Sequence, residues 1–402
     1  MSAARTGVGV ATAAVILAGC GGGSAPASSP VVSDSAGLRI VANPAPDRPL
    51  DRAPVRIADL MTPDSALTAV PWGVAADPAT GRVYVLDRTG HRVAVFDRSG
   101  EYIERYGRRG EGPGEFQGAA ALSVGPDGTL TVWDPGRAVL SRWSAAGDLL
   151  DERRAPIAYW GPGVHVGSDG LFTVTSSTSA DEMRQMLVHV AADGDSTVLH
   201  TVARELVMAE LPCLAQPMPR IFAPDIVWTA RGDTVWVLDE PEYRIDIHVD
   251  GTPVESVRRP PAPLEVTDAM ATEWARQRYG PFMRRCGGLA PDALIAELGR
   301  EEQTAPVQRL AVDPAGRLWV TRSPDGLVPD RVDLLAPDGR YLGTFDSPGM
   351  PLAFLSPSRF VSLRVRPETG ETILSIRELE VGVGGGPGAG GEPEDAAARD
   401  GP

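Results

Sequence analysis

A repeated pattern of short strands and tight turns is the feature that most limits the folds open to this chain. Residues 72–117 read WGVAADPATGRVYVLDRTGHRVAVFDRSGEYIERYGRRGEGPGEFQ. Alternating apolar residues bounded by Gly, Asp and Pro predict four short strands joined by three turns. A single meander of this kind cannot bury both of its apolar faces, so it needs copies of itself on either side.

Further copies follow along the chain. Their first turns lie at Asp127-Gly128, Asp169-Gly170, Gly232-Asp233, Ala315-Gly316 and Thr369-Gly370. A period of about 40–50 residues made of short strands is typical of propellers. The sequence therefore predicts an all-β fold, a six-bladed β-propeller with four-stranded antiparallel blades, spanning residues 38–381.

The first two copies resemble NHL-type repeats. The nearest likeness is to bacterial six-bladed propeller proteins whose first blade ends in GxGEGPGEF, and Gly110–Phe116 reads GEGPGEF here. The resemblance extends from Ile57 to Val381. It departs from the family pattern in the second turns, where Asn is frequent, because the only Asn of this chain is Asn43. The resemblance implies the fold, while the fold itself serves lactonases, lyases and binding platforms alike.

The last copy, Leu352–Leu379, is one strand short. Val55–Leu60 is a strand candidate ahead of the first blade with no partner set of its own. Propellers close by borrowing a strand from the other terminus, which removes open sheet edges. We therefore expect Val55–Leu60 to be the outer strand of blade six.

The N-terminus predicts export. Residues 1–19 have a basic start and a short apolar stretch, and Leu17-Ala18-Gly19-Cys20 matches the bacterial lipobox. This resemblance implies a signal peptide over 1–19 and a lipid on Cys20, which would anchor the protein to a membrane. An ordinary secretory signal is the alternative. Gly21 favours the outer membrane, facing the periplasm or the cell surface.

The regions that flank the fold are low in complexity. Residues 20–37 are rich in Gly, Ser and Pro and predict a flexible tether between lipid and domain. Residues 382–402 form a Gly-rich and acidic tail that cannot build a core, so we expect it to be disordered.

Two connections are too long to be turns. Arg204–Ala223 links copies three and four, and residues 259–305 link copies four and five. The second predicts a helical insertion, with one helix from Thr267-Asp268 to Gly280-Pro281 and another over Asp292–Leu298.

Each long connection holds one cysteine, Cys213 or Cys286. In an oxidising compartment these two would pair as a disulfide and join the connections into a cap. Two unrelated buried thiols are the alternative.

The net charge of the chain limits the classes of partner that it could bind. The chain of 402 residues has a formal net charge of −15, which disfavours nucleic acid as a partner. All of its basic side chains other than histidine are arginines. Schiff-base chemistry on a lysine is therefore excluded. We expect a monomer.

The sequence contains few residues that could bind a cofactor or catalyse a reaction. Gly110–Glu115 resembles a phosphate-binding loop, but a tight crossing between blades is the better interpretation, because Pro113 interrupts the glycine-rich stretch and no helix follows.

Asp87, Asp134 and Asp239 recur at the end of the second strand. They would either cap turn amides, which we favour, or present carboxylates to calcium. The histidines and cysteines show no metal spacing, so no cofactor is predicted apart from calcium under the second function below.

Two functions remain open. The first is a lipid-anchored binding or protein-interaction platform of the cell envelope, for a protein, peptide or carbohydrate ligand. The second is a calcium-dependent lactonase, hydrolase or lyase acting at the central channel.

A binding surface is expected on the face that carries the long connections, because strands are used for packing and loops acquire ligands. Arginines there would favour an anionic or carbonyl-rich ligand; the alternative is that these loop arginines are only solvated. The candidate residues are Arg88, His91 and Arg92 of the blade-one turn, Tyr243 and Arg244 of the blade-four turn, and Trp274 and Tyr279 of the insertion.

Overall fold

The computed structural model describes residues 29–50, 53–60, 73–154, 163–167, 170–191, 194–211, 213–239, 241–365 and 372–379. Six β-sheets follow one another around a central axis, which confirms the predicted six-bladed propeller. The signal peptide, Cys20 and the C-terminal tail lie outside the described residues.

The strands and helices have the following bounds. The chain begins with β1 (Val31–Ser35), β2 (Leu38–Ala42) and β3 (Val55–Asp59). Blade one contains β4 (Gly73–Asp77), β5 (Arg82–Asp87), β6 (Arg92–Phe96) and β7 (Tyr102–Tyr106). Blade two contains β8 (Ala121–Val124), β9 (Leu130–Asp134), β10 (Val139–Trp143) and β11 (Leu149–Arg154). Blade three contains β12 (Val164–Val166), β13 (Gly170–Thr178), β14 (Glu182–Ala191), β15 (Ser196–Leu211) and β16 (Leu214–Pro219).

The second half continues in the same way. Blade four contains β17 (Trp228–Arg231), β18 (Thr234–Asp239), β19 (Arg244–Val249) and β20 (Thr252–Arg258). The insertion contains β21 (Leu264–Glu265), α1 (Asp268–Arg285), α2 (Pro291–Leu298) and β22 (Gln303–Thr304). Blade five contains β23 (Val307–Val312), β24 (Leu318–Arg322), β25 (Arg331–Leu335) and β26 (Tyr341–Asp346). Blade six contains β27 (Met350–Phe354), β28 (Arg359–Val365) and β29 (Thr372–Glu378).

Each blade buries both of its faces against its neighbours. In β5, Val83 and Val85 belong to the core that blade one shares with blade six. The alternate residues Tyr84 and Leu86 belong to the core that it shares with blade two. Successive side chains of a strand point to opposite faces, so one six-residue strand feeds two interfaces.

The ring closes as the sequence predicts. Strand β3 pairs antiparallel with β29 and completes blade six. The Ser375 hydroxyl donates to Asp59 Oδ1 at 2.7 Å, and the Leu60 amide donates to the Leu374 carbonyl at 2.9 Å. The first strand of the ring is thereby joined to the last sheet.

A hairpin extends blade four and shortens the expected tether. Strands β1 and β2 pair with each other, and β2 runs parallel to β20. The expectation of a flexible tether over residues 20–37 is wrong for Val31–Ser35. The reason is that β2 buries Val41 completely in the core of blades four and five, which brings β1 onto the sheet with it.

The long connection Arg204–Ala223 is largely strand. Strand β15 pairs with β14 as far as Glu205. Its remaining residues, from Leu206 to Leu211, form a hairpin with β16 that projects beyond the turn joining β13 to β14. Part of the expected connection is therefore an extension of blade three.

The helical insertion is confirmed, with one boundary corrected. The Thr267 side chain accepts a hydrogen bond from the Met270 amide and begins α1. The predicted stop at Gly280-Pro281 is wrong, because α1 continues to Arg285. Proline removes one backbone donor, but buried Met283 holds the last turn against the insertion's own core. The second helix ends before Gly299, as expected. Among the described residues no helix is long and apolar enough to cross a membrane.

Closure through β3 gives a testable prediction. A chain that begins at residue 61 should lose its cooperative thermal unfolding, because β29 becomes an open edge. A chain that begins at residue 36 removes only β1 and should keep a single transition. Ala58→Pro isolates β3, since Ala58 pairs with Ile376 in the ladder. It should lower the free energy of unfolding by about 1–3 kcal/mol in a urea titration, because proline removes a ladder hydrogen bond. An unchanged transition for the Ala58→Pro protein would contradict closure by β3.

Candidate functional site

One end of the ring carries the features of interest. Connections from an outer strand to the next inner strand lie at the same end as the turns between second and third strands. We call this end the loop face. The insertion between blades four and five begins there, and the β15–β16 hairpin projects from the blade-three turn at the same end.

The hairpin and the two helices form a cap with a hydrophobic core of its own. Ala271 and Ala275 of α1 pack with Leu294 and Leu298 of α2, and all four are buried. Ile221, which follows the hairpin, joins the same cluster. The Ile221 amide donates to the Gly299 carbonyl at 3.1 Å, so backbone contacts tie the hairpin segment to the end of α2.

The disulfide expected between the two long connections is present. Cys213 at the hairpin turn is bonded to Cys286 at the end of α1, with Cα atoms 5.3 Å apart. The bond encloses 73 residues, including all of blade four. It links the two halves of the cap across a whole blade.

Trp274 and Tyr279 hold the cap together. The Trp274 ring lies 5.3 Å from that of Phe222 and 5.7 Å from that of Tyr279. Both side chains are half-buried, and burial raises the pKa of the Tyr279 hydroxyl. The structure therefore gives them a packing role within the cap, and their proposed contact with a ligand remains a prediction.

The blade-one turn is organised by Asp87. Its carboxylate accepts hydrogen bonds from the Gly90 amide at 2.8 Å and from Arg92 Nε at 3.1 Å. His91 has a positive φ of 51°, and both His91 and Arg88 are half-buried. Blade one lies opposite blade four in a ring of six. The structure thus does not bring Arg88, His91 and Arg92 into one pocket with the blade-four residues.

A cleft of about 430 Å³ opens beside the blade-four turn. We call it the blade-four cleft. Its lining residues are Glu242, Tyr243, Arg244, Arg258, Arg259, Pro260, Pro261, Ala262 and Pro263. Two of the predicted site residues, Tyr243 and Arg244, therefore line the same cleft. Arg244 forms ion pairs with Asp239 and Asp246, the second at 3.4 Å.

A buried charge cluster lies against the cleft. Arg259 has no solvent-exposed side-chain surface. Its Nη2 lies 3.0 Å from Asp47 Oδ1, and its Nη1 lies 3.4 Å from Asp333 Oδ2. Arg322 Nη2 bonds the same two carboxylates at 2.6 Å and 2.9 Å. The cluster joins the N-terminal segment to blades four and five.

Tyrosines enclose this cluster. The Tyr243 hydroxyl donates to Asp333 Oδ2 at 3.0 Å, and burial together with Asp333 raises the pKa of that hydroxyl well above its usual value. The Arg259 guanidinium stacks over the Tyr341 ring at 3.5 Å. Burial lowers the pKa of Arg322, but Asp333 and Asp47 outweigh it and raise that pKa. Tyr243 is thus an almost fully buried support of the cleft floor rather than an exposed contact.

Sequence reasoning missed Asp47, Arg259, Arg322 and Asp333. Asp47 and Arg322 are 275 residues apart in sequence, and none of the four stands in a recognisable motif. The only available signal was that Arg258 and Arg259 begin a proline-rich connection.

Two of the three carboxylates considered for calcium, Asp87 and Asp134, accept hydrogen bonds from backbone amides. Asp134 accepts the Gln117 and Gly118 amides at 2.7 Å and 3.0 Å, and Asp87 is engaged as described above. Both carboxylates cap backbone turns, which confirms the interpretation favoured from the sequence for these two. Within the described ranges, no group of three or more His, Cys, Asp or Glu side chains is placed to hold a metal ion.

Comparisons with known proteins concern the fold. The model of a family described as a 6-bladed beta-propeller matches residues 53–205. The chain is similar to a protein from Bacteroides fragilis described as exported (14% identity, TM-score 0.44, covering 85% of this chain and 100% of that one). It is also similar to the calcium-binding protein regucalcin from Agrobacterium tumefaciens (16% identity, TM-score 0.37, covering 84% and 97%).

A third similar structure is virginiamycin B lyase from Staphylococcus aureus (11% identity, TM-score 0.36, covering 82% and 89%). No curated protein sequence matches. These similarities are too distant to indicate a ligand or a reaction for this chain.

The buried charge cluster leads to a stability prediction. Asp333→Asn keeps the size of the side chain but leaves two buried arginines with less compensation, so it should lower the free energy of unfolding by about 3 kcal/mol in urea. The matched control is Asp338→Asn on the same blade, whose side chain is 59% exposed beside Arg340. The control should change stability by less than about 0.5 kcal/mol. Equal changes in the free energy of unfolding for the two substitutions would show that the buried charge cluster stabilises the fold no more than an exposed ion pair does.

Proposed function

We propose that this protein is a lipid-anchored binding platform of the cell envelope, related to NHL-repeat propellers, and that the blade-four cleft holds its ligand. The observation that carries the proposal is the cleft itself, a concave site on the loop face between a blade turn and a proline-rich wall. Concave, partly apolar sites with a few placed polar groups are where proteins bind ligands.

The floor of the cleft is fixed before any ligand arrives. Tyr243 and Arg259 are held by Asp47 and Asp333, so neither side chain is free to reorient. Pro260, Pro261 and Pro263 restrict the backbone of the wall. Binding to such a site costs less conformational entropy than binding to a mobile loop.

The charge of the rim indicates the class of ligand. Arg258 is exposed, and no carboxylate in the described part of the chain lies within ion-pair distance of it. Glu242 is the acidic residue of the lining, and Arg244 is engaged by two aspartates. A planar guanidinium with free donors suits a carboxylate or carbonyl group. An acidic carbohydrate or an acidic peptide is therefore the preferred ligand.

This binding proposal can be tested with two acidic probes. In calorimetric titrations of the wild-type protein, we expect binding of at least one of two acidic probes, hexaglutamate or a trigalacturonate oligosaccharide. Hexalysine should not bind. Arg258→Gln should weaken that binding about tenfold, which corresponds to the loss of one charge-assisted contact of about 1.4 kcal/mol. Arg340→Gln, a substitution of an exposed arginine outside the cleft lining, should leave it unchanged. Binding that is indifferent to Arg258, or the absence of binding by both acidic probes, would refute the assignment.

The anchor has a separate test, because Cys20 lies outside the described residues. Cys20→Ser should abolish palmitate labelling and leave the protein in the soluble fraction or as an uncut precursor. The isolated domain of that variant should still bind the acidic probe. A Cys20→Ser protein that keeps its lipid label would overturn the anchor without affecting the cleft.

A further inference from the structure

An arginine in the middle of an innermost strand lies beside the axis of the ring. Arg309 is in the middle of β23, the first strand of blade five. The innermost strands on both sides, β17 and β27, contact β23. Its neighbours in the strand enter the inter-blade cores, Leu310 towards blade four and Ala311 towards blade six. Strand alternation places Arg309 on the same side as Ala311, towards blade six. Because β23 is an innermost strand flanked by innermost strands on both sides, the exposed part of Arg309 borders the central channel.

Arg309 has no compensating partner within the described residues. Its side chain is half-buried, yet its Nε is shut off from solvent and makes no hydrogen bond. No carboxylate there forms an ion pair with it, and burial alone lowers its pKa. The Cα partner of Arg309 across the ladder is Thr321, which is buried and uncharged.

Two other arginines of the same region show what is missing. Arg259 and Arg322 are more deeply buried than Arg309, and each of them forms ion pairs with both Asp47 and Asp333. Enclosing a guanidinium without a counter-charge is costly, because this group cannot give up its proton at physiological pH. In a chain with 53 acidic residues, a carboxylate could have been placed beside Arg309 but none of the described ones is.

We propose that Arg309 is an anion-binding residue of the central channel, and that a ligand oxyanion, either a carboxylate or a phosphate, supplies the missing charge. The guanidinium fork can donate two parallel hydrogen bonds to either group. This site is separate from the blade-four cleft, whose lining does not include any residue of β23. The assignment does not depend on the function proposed for that cleft.

The test compares thermal unfolding of the wild-type domain, Arg309→Met, Arg309→Lys and Arg340→Met. Each protein is melted in chloride, in sodium phosphate and in sodium citrate at equal ionic strength. Phosphate and citrate distinguish the two oxyanion classes. Arg340→Met is the matched control, because Arg340 also lies in blade five but its side chain is 56% exposed.

In chloride, Arg309→Met should melt at or above the wild-type Tm, since it removes an uncompensated charge. In at least one of the two anions, the wild-type and Arg340→Met proteins should gain roughly 3 °C or more, because a bound ligand stabilises the folded state. The Tm of Arg309→Met should rise by less than half of that shift, and this remaining rise is the general effect of salt. The Tm of Arg309→Lys should rise by an intermediate amount.

Two results would overturn the proposal. One is an anion-dependent gain in Arg309→Met that equals the wild-type gain, or no gain in the wild type. The other is an Arg309→Met protein that melts several degrees below the wild type in chloride or fails to fold, because Arg309 would then be a structural support.

Discussion

Closure of the ring is the constraint on which the rest of the structure depends. Each blade has two apolar faces, and only a neighbour on each side can cover them, as Val83 and Tyr84 of one strand show by entering different cores. The last blade lacks a strand until β3 supplies it from the N-terminal side. Closure therefore fixes the position of the N-terminal segment, which must run along the outside of blades four and five to reach blade six.

That path has a consequence for the loop face. Residues 43–50 cross from blade four to blade five, with Pro49 beside Thr344, and carry Asp47 into contact with Arg259 and Arg322. A segment needed for closure thus also supplies half of the acidic charge in the cluster beside the blade-four cleft. The shape of the cleft floor and the completeness of the ring are linked through one stretch of chain.

The cap depends on a different kind of constraint. Of its two helices, α2 has only 8 residues, and a helix of that length is marginal on its own. The two helices are held by a small apolar core, by backbone bonds from Ile221 to the end of α2, and by the disulfide from Cys213 to Cys286. On the chain-entropy estimate, a crosslink enclosing 73 residues contributes up to ~4 kcal/mol. The cap is thereby fixed to blade three as well as to the insertion from which it grows.

The sequence by itself determined the blade count, the closing strand and the cysteine pair. All of these follow from local signals, namely strand alternation, turn residues and a pair of cysteines in long connections. Only the tertiary structure decided that α1 runs through Pro281, that β1 and β2 join blade four, and that Trp274 packs within the cap. The tertiary structure alone decided which arginines have acidic partners. Asp47 and Asp333 meet Arg259 only because the closed ring brings distant parts of the chain together. Arg309 on the inner strand is left without a carboxylate among the described residues.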